Sequence, residues 1–194
     1  MRTAVTSVLQ ATEGRVNWGL KFFPDNSACD ASMPPAVGIA PSNGTAVADA
    51  IAQTTPGGST PTRDAITFGT SYLQSLPDTN PKFLLLATDG LPNCPVGCAA
   101  MTTGNLACTT TDNPTEDVAV EAAVMMAAAQ GIKTFVVGIG NVATAQSTLN
   151  QLALDGGEAQ TGGATSYYAA TDEAALEAAL TSIVRKIAGC PGNP

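Results

Sequence analysis

The chain has 194 residues, no histidine, and 8 Lys and Arg against 16 Asp and Glu, for a formal charge of −8. A length near one domain and a 44% hydrophobic fraction exclude wholesale disorder. The acidic balance argues against nucleic acid and anionic membrane surfaces, no apolar run approaches the ~18 residues of a membrane span, and Ser-His-Asp, Cys-His and histidine–zinc chemistry are excluded within this chain.

Val5, Val8 and Leu9 recur at helical spacing near the start. This is an amphipathic helix already under way at residue 1, not a basic-then-apolar leader. Residues 16–23 alternate apolar with small or polar residues and read as a strand. A proline-rich loop with Cys29 leads to a short strand at 36–40, stopped by Pro41, and residues 45–53 read as a short helix. After a Gly-rich loop, Thr60 suits an N-cap and Pro61 the first helical position, for a helix to about Leu76. Residues 82–88 are a continuous apolar run, the pattern of a central parallel strand covered on both faces, and they end in Asp89-Gly90. Asn113-Pro114-Thr115-Glu116 opens an Ala-rich helix that stops at Gly131. Glu116 and Asp117 fit the positive end of its dipole. A buried strand at 133–137, a helix at 144–154 and a short strand at 166–169 follow. Thr171 is expected to cap the last helix, with Arg185 and Lys186 in its final turn and Gly189 as its stop. Buried strands alternating with helices predict a three-layer α/β fold, an open, mostly parallel sheet wrapped by helices on both faces. One domain is expected over 1–190, with a short tail at 191–194.

Cys29, Cys94, Cys98, Cys108 and Cys190 lie in loops or near the end of the chain. Loop cysteines without histidine read as disulfides and point to an extracytoplasmic protein, secreted, periplasmic or surface-anchored. The odd number leaves at least one without a partner inside the chain, and the connectivity stays open. Free thiols in a cytosolic protein are the alternative. A zinc site on Cys94, Cys98 and Cys108 would lack a fourth ligand.

Ligands of open α/β sheets sit beyond the carboxyl ends of the strands. Residues 57–62 and Thr88-Asp89-Gly90 fall on that rim. A hydroxyl and a carboxylate meeting there suit a hard cation such as Mg²⁺. The plainer readings are a helix cap for Thr60 and a turn for Asp89-Gly90.

The landmarks Gly58-Ser59-Thr60-Pro61-Thr62, Leu84-Leu85-Leu86-Ala87-Thr88-Asp89-Gly90 and Gly131-Ile132-Lys133-Thr134-Phe135-Val136-Val137-Gly138-Ile139-Gly140 follow one another in order. With Gly19 to Pro24 near the start and Leu152 to Gly157 and Tyr167 to Ala170 near the end, they resemble a von Willebrand factor A domain over nearly the whole chain. The resemblance implies a metal-ion-dependent adhesion site. In it an Asp-x-Ser-x-Ser motif, a Thr matching Thr60 and an Asp matching Asp89 hold a divalent cation, Mg²⁺ or alternatively Mn²⁺ or Ca²⁺. One position of that cation stays open to an acidic group on a protein or glycan partner. This sequence contains no Asp-x-Ser-x-Ser. The expectation is therefore a chain that starts downstream of the family's first, central strand. It should bind metal weakly or not at all and leave backbone groups unpaired at the gap.

The implied function is an exported, non-enzymatic adhesion or protein-binding module. Two alternatives stand beside it. Gly138-Ile139-Gly140-Asn141-Val142-Ala143 matches a dinucleotide fingerprint and would serve a nucleotide-dependent enzyme. It lies late in the chain and lacks an acidic residue after a following strand, so a glycine-permitted turn is the simpler reading. A scaffold with a degenerate, metal-independent site is the other alternative.

Overall fold

The computed structural model describes residues 2–25, 29–94 and 114–189. Cys98, Cys108, Cys190, Asn113 as a cap and the 191–194 tail lie outside the described residues. The elements run α1 (Arg2–Thr12), β1 (Trp18–Leu20), β2 (Val37–Ala40), α2 (Gly44–Gln53), α3 (Thr62–Ser75), β3 (Phe83–Thr88), α4 (Pro114–Ala129), β4 (Lys133–Ile139), a 3₁₀ turn (Ala143–Ala145), α5 (Gln146–Asp155), β5 (Tyr168–Ala170) and α6 (Glu173–Ile187). Two compact units result, one of residues 1–21, 34–56 and 169–194 and one of residues 22–33 and 57–168.

In the first unit α1 packs against α2 and α6. Ala4, Val8 and Leu9 are buried on α1, as are Leu176, Leu180, Ile183 and Val184 on α6. The Ala4 N–H donates to Glu173 Oε1 at 3.1 Å. The last helix is capped by Asp172, not Thr171: the Asp172 carboxylate accepts from the Ala175 N–H at 2.8 Å, three residues on, as an N-cap side chain should. β1 and β2 pair antiparallel, Trp18 opposite Ala40 and Leu20 opposite Val37. The strand expected over 16–23 keeps only three residues. Its register is irregular at Gly19, and Phe23 packs on the core of the second unit instead of extending the ladder. Pro24 has no N–H to continue it.

In the second unit β3 and β4 run parallel, in register from Phe83 opposite Lys133 to Thr88 opposite Gly138; the strand order is β3-β4-β5, and of β5 only Tyr168 belongs to this unit. Ile66 of α3, Leu86 of β3, Val120 and Val124 of α4, Val136 of β4 and Leu149 and Leu152 of α5 form the core. Each such side chain contributes roughly 1.5–3 kcal/mol by leaving water. β4 matches the expected buried strand, with every residue from Thr134 to Gly138 buried. β3 does not match. Leu86 and Thr88 are buried, but Leu85 is 37% exposed and Ala87 is exposed. β3 is covered on one face only, and it stands at the edge of its sheet with β4 as its single strand neighbour among the described residues. A fully apolar run does not require two covered faces.

Gly156 shows why β4 and the end of α5 fit together. The Gly156 carbonyl accepts from the Thr134 N–H at 3.0 Å, and a Cβ on Gly156 would stand 2.5 Å from the Thr134 carbonyl oxygen. No larger residue permits that approach.

Candidate functional site

The site is built where β3 ends. The Thr88 hydroxyl donates to the Gly90 carbonyl at 3.1 Å, and the Gly90 N–H lies 3.4 Å from the same hydroxyl oxygen. This closes a turn by a side chain. Asp89 at its tip is exposed. Leu91 then packs on the core, Pro92 is buried, and Cys94 is bonded to Cys29, 65 residues earlier, with Cα atoms 5.4 Å apart. Both cysteines are buried, at 1% and 6% exposure. One of the possible pairings is thereby assigned. Cys29 sits in a tied loop: the Asp25 N–H donates to the Asp30 carbonyl at 2.9 Å, and the Met33 N–H donates to Asp25 Oδ2 at 2.7 Å.

Thr60 does not cap α3. Pro61 occupies the N-cap position with φ −75° and ψ 60°, and no side chain caps this end. Those angles are the inverse γ-turn, and the Thr62 N–H closes it on the Thr60 carbonyl at 2.9 Å. The turn sets Thr60 outside the helix. Asn93 then grips Thr60 by its backbone: the Thr60 N–H donates to Asn93 Oδ1 at 2.5 Å, and the Asn93 N–H donates to the Thr60 carbonyl at 3.3 Å. The structure thus brings the 60–62 and 88–94 segments side by side. Asn93 was missed by sequence reasoning, because nothing in Leu91-Pro92-Asn93-Cys94 announces a partner 33 residues upstream.

The fit to a cation can be judged from the donors present. A hard divalent cation wants about six or more oxygen ligands, or several waters in their place. Among the described residues no group of three or more Asp, Glu or Cys side chains converges as a cage. Thr60 and Asp89 are two oxygen donors, and by themselves they do not make the site.

A third residue corrects the sequence reading. Glu116, expected as a first-turn carboxylate facing the helix dipole, is fully buried, and neither carboxylate oxygen has a hydrogen-bond partner among the described residues. It occupies the inner face of α4 together with Val120, Ala123, Val124 and Ala127. Loss of water is the main cause that pushes its pKa up to about 7. The Arg63 charge opposes this, and the Asp64 and Asp117 charges add to it. Arg63 is itself engaged with Asp64, Nη2 to Oδ1 at 2.8 Å. The available signal was spacing: Glu116, Val120 and Ala123 share one face at i, i+4 and i+7.

The Gly138 to Ala143 turn does not form a phosphate cradle. A Cβ on Gly138 would stand 2.7 Å from the Tyr167 ring, so this glycine makes room for packing. Gly140 has φ +76°. The chain then enters a 3₁₀ turn, and α5 begins only at Gln146. A dinucleotide site would instead present a helix N-terminus directly after the glycines.

The family model for the von Willebrand factor type A domain matches residues 38–182. No curated relative matches the sequence. Among solved structures, the SpaC pilus adhesin of Lactobacillus rhamnosus GG is 19% identical with a TM-score of 0.68, and the match covers 96% of this chain and 27% of that one. The PilB minor pilin of Streptococcus sanguinis is 21% identical with a TM-score of 0.67, covering 96% and 53%. The vWF domain of the type V pili tip protein Mfa5 from Porphyromonas gingivalis is 14% identical with a TM-score of 0.68, covering 100% and 89%. The chain thus spans about a quarter of SpaC and about half of PilB, and at these identities the likeness is one of fold. The ordered landmarks, the parallel β3-β4-β5 sheet with its helices and the match over 38–182 agree, and the chain belongs to the von Willebrand factor type A domain family.

Proposed function

We propose that this chain is a non-enzymatic, extracytoplasmic adhesion module that binds a protein or glycan partner at the rim formed by residues 60–62 and 88–94. The observation that carries the reading is the way this rim is held. Asn93 fixes the Thr60 backbone by two hydrogen bonds, one to its side chain and one from its own N–H, and the Cys29–Cys94 disulfide anchors Asn93 one residue away. Asp89, earlier in the same 88–94 segment, is exposed. A surface whose polar groups are set before the partner arrives avoids part of the ordering cost of binding. The disulfide also supports an oxidising compartment, and no helix among the described residues is long and apolar enough to cross a membrane. The pilus proteins of similar structure support an adhesive role by their fold.

In this reading a divalent cation, Mg²⁺ or alternatively Mn²⁺ or Ca²⁺, belongs to the rim only when further oxygen donors join Thr60 and Asp89. When bound, it would supply a positive pole for an acidic group of the partner. This chain on its own is expected to hold Mg²⁺ weakly or not at all. Beads coated with the chain, tested on a panel of immobilised proteins and glycans, examine the rim directly. Asp89→Ala should abolish capture without changing the melting temperature. Equal capture by the variant would overturn the assignment of the rim, and a titration calorimeter fed with Mg²⁺ and Mn²⁺ tests the cation separately.

A further inference from the structure

α4 is apolar on two sides, and among the described residues only one of them is covered. Val120, Val124 and Ala127 are fully buried in the core. On the outer side Val118, Met125 and Met126 are 64%, 55% and 56% exposed, and Ala122 and Ala129 are exposed with them. Positions i, i+4, i+7, i+8 and i+11 form one continuous stripe along a helix. Solvent-facing stripes normally carry charge, and a contiguous apolar one marks a contact surface.

The edge of this stripe is acidic. Asp117 and Glu121 follow one another at i, i+4 on the side toward α5, where the Thr148 hydroxyl donates to Asp117 Oδ2 at 3.3 Å. Asp155 of α5 lies close enough to act on Glu121. The Glu121 pKa is raised by burial first, then by Asp155 and Asp117. α4 contains no Lys or Arg. Apolar contacts lined by carboxylates with like-charge repulsion favour an occupant that brings both apolar side chains and cations.

We propose that the outer stripe of α4, with the carboxylates of Glu121 and Asp155 along its edge, is a docking surface for a basic amphipathic helix of a partner protein. Apolar side chains of that helix pack on Val118, Ala122, Met125 and Met126, where the flexible thioethers adapt to their shape. Lys or Arg side chains beside them meet Glu121 and Asp155. A second copy of this chain fits less well, because its own acidic edge and net charge of −8 meet their like. The surface is separate from the rim, and neither assignment depends on the other.

A labelled synthetic peptide tests this, an amphipathic helix of Leu and Lys with Leu at i, i+3, i+4 and i+7, followed by fluorescence anisotropy with the whole chain. The expected result is saturable binding that weakens about tenfold in Met125→Asp/Met126→Asp and about threefold in Glu121→Gln, with unchanged circular dichroism. Met125 and Met126 are exposed, and Glu121 lies half-buried at the edge of the stripe outside the core cluster, so the variants should fold. Equal affinity for the double variant would mean attraction by net charge alone and would overturn the proposal. So would the absence of binding, or a dimer in sedimentation that the double variant abolishes.

Discussion

Asp89 and Glu116 are carboxylates at the same end of the second unit, where β3 finishes and α3 and α4 begin, and they are held in opposite ways. Asp89 is exposed, and its surroundings do the holding: the Thr88 hydroxyl closes its turn, and Asn93 and the disulfide fix the residues after that turn. Glu116 is enclosed, and among the described residues no hydrogen bond reaches its carboxylate. In the first case restraint falls on the backbone and the side chain stays presented. In the second it falls on the side chain by covering alone, which favours the neutral acid. One is left presented at the surface, and the other is coupled to pH.

The largest expected effect breaks the restrained side. Cys29→Ser/Cys94→Ser should destabilise the fold by about 2–4 kcal/mol in urea unfolding, because the bond closes a long loop in the unfolded chain. A loss below about 1 kcal/mol would mean that the rim is held by its hydrogen bonds alone.

Glu116 comes next, and the sign follows from its raised pKa. The folded state holds the proton up to about pH 7, whereas the unfolded chain releases it near the ordinary value of 4.5. Stability from this group is therefore complete below about pH 4.5 and is lost as the pH rises through about 7. At about 1.4 kcal/mol per unit the difference is of the order of 3 kcal/mol between pH 4.5 and pH 8. Glu116→Gln should flatten that slope in a pH series of unfolding curves. An unchanged slope would show that Glu116 is ionised in the fold.

A smaller effect separates Asn93 from Asp89. Asn93→Ala removes the acceptor of the Thr60 N–H and should cost about 1–2 kcal/mol, read as a lower denaturant midpoint and faster amide exchange at Thr60. Asp89→Ala should change stability least, within about 0.5 kcal/mol, because the side chain is exposed. If Asp89→Ala destabilises more than Asn93→Ala, the contrast between presented and enclosed groups fails.

Much of this molecule could be read in the sequence because its signals are local. Gly131 and Gly189, expected as helix stops, adopt φ of +82° and +62°. The run at 133–137 is buried on both faces from Thr134 onward. Thr60 and Asp89 were singled out by their expected place on the rim and by family resemblance; what the structure adds is the pair of hydrogen bonds that joins Thr60 to Asn93. The misreadings share a cause. Thr171 against Asp172, Thr60 against Pro61 and the two faces of β3 each turn on the neighbours a residue meets in space. Asn93, Glu116 and the Cys29–Cys94 pairing depend on partners or neighbours far along the chain, and no local pattern encodes them.

The disulfide has a mechanical consequence. Cys29 and Cys94 enclose α2, α3, β2 and β3 in a covalent ring of 65 residues' separation. If the chain is stretched from its two ends, this ring cannot open. At about 3.4 Å per extended residue it removes about 220 Å from the length available to unfolding under tension. Once the contacts of α1 and β1 with α2 and β2 have broken, force would run from residue 29 straight across the sulfur bridge to residue 94, so the rim beside Asn93 would carry the tension while the segments inside the ring stay slack.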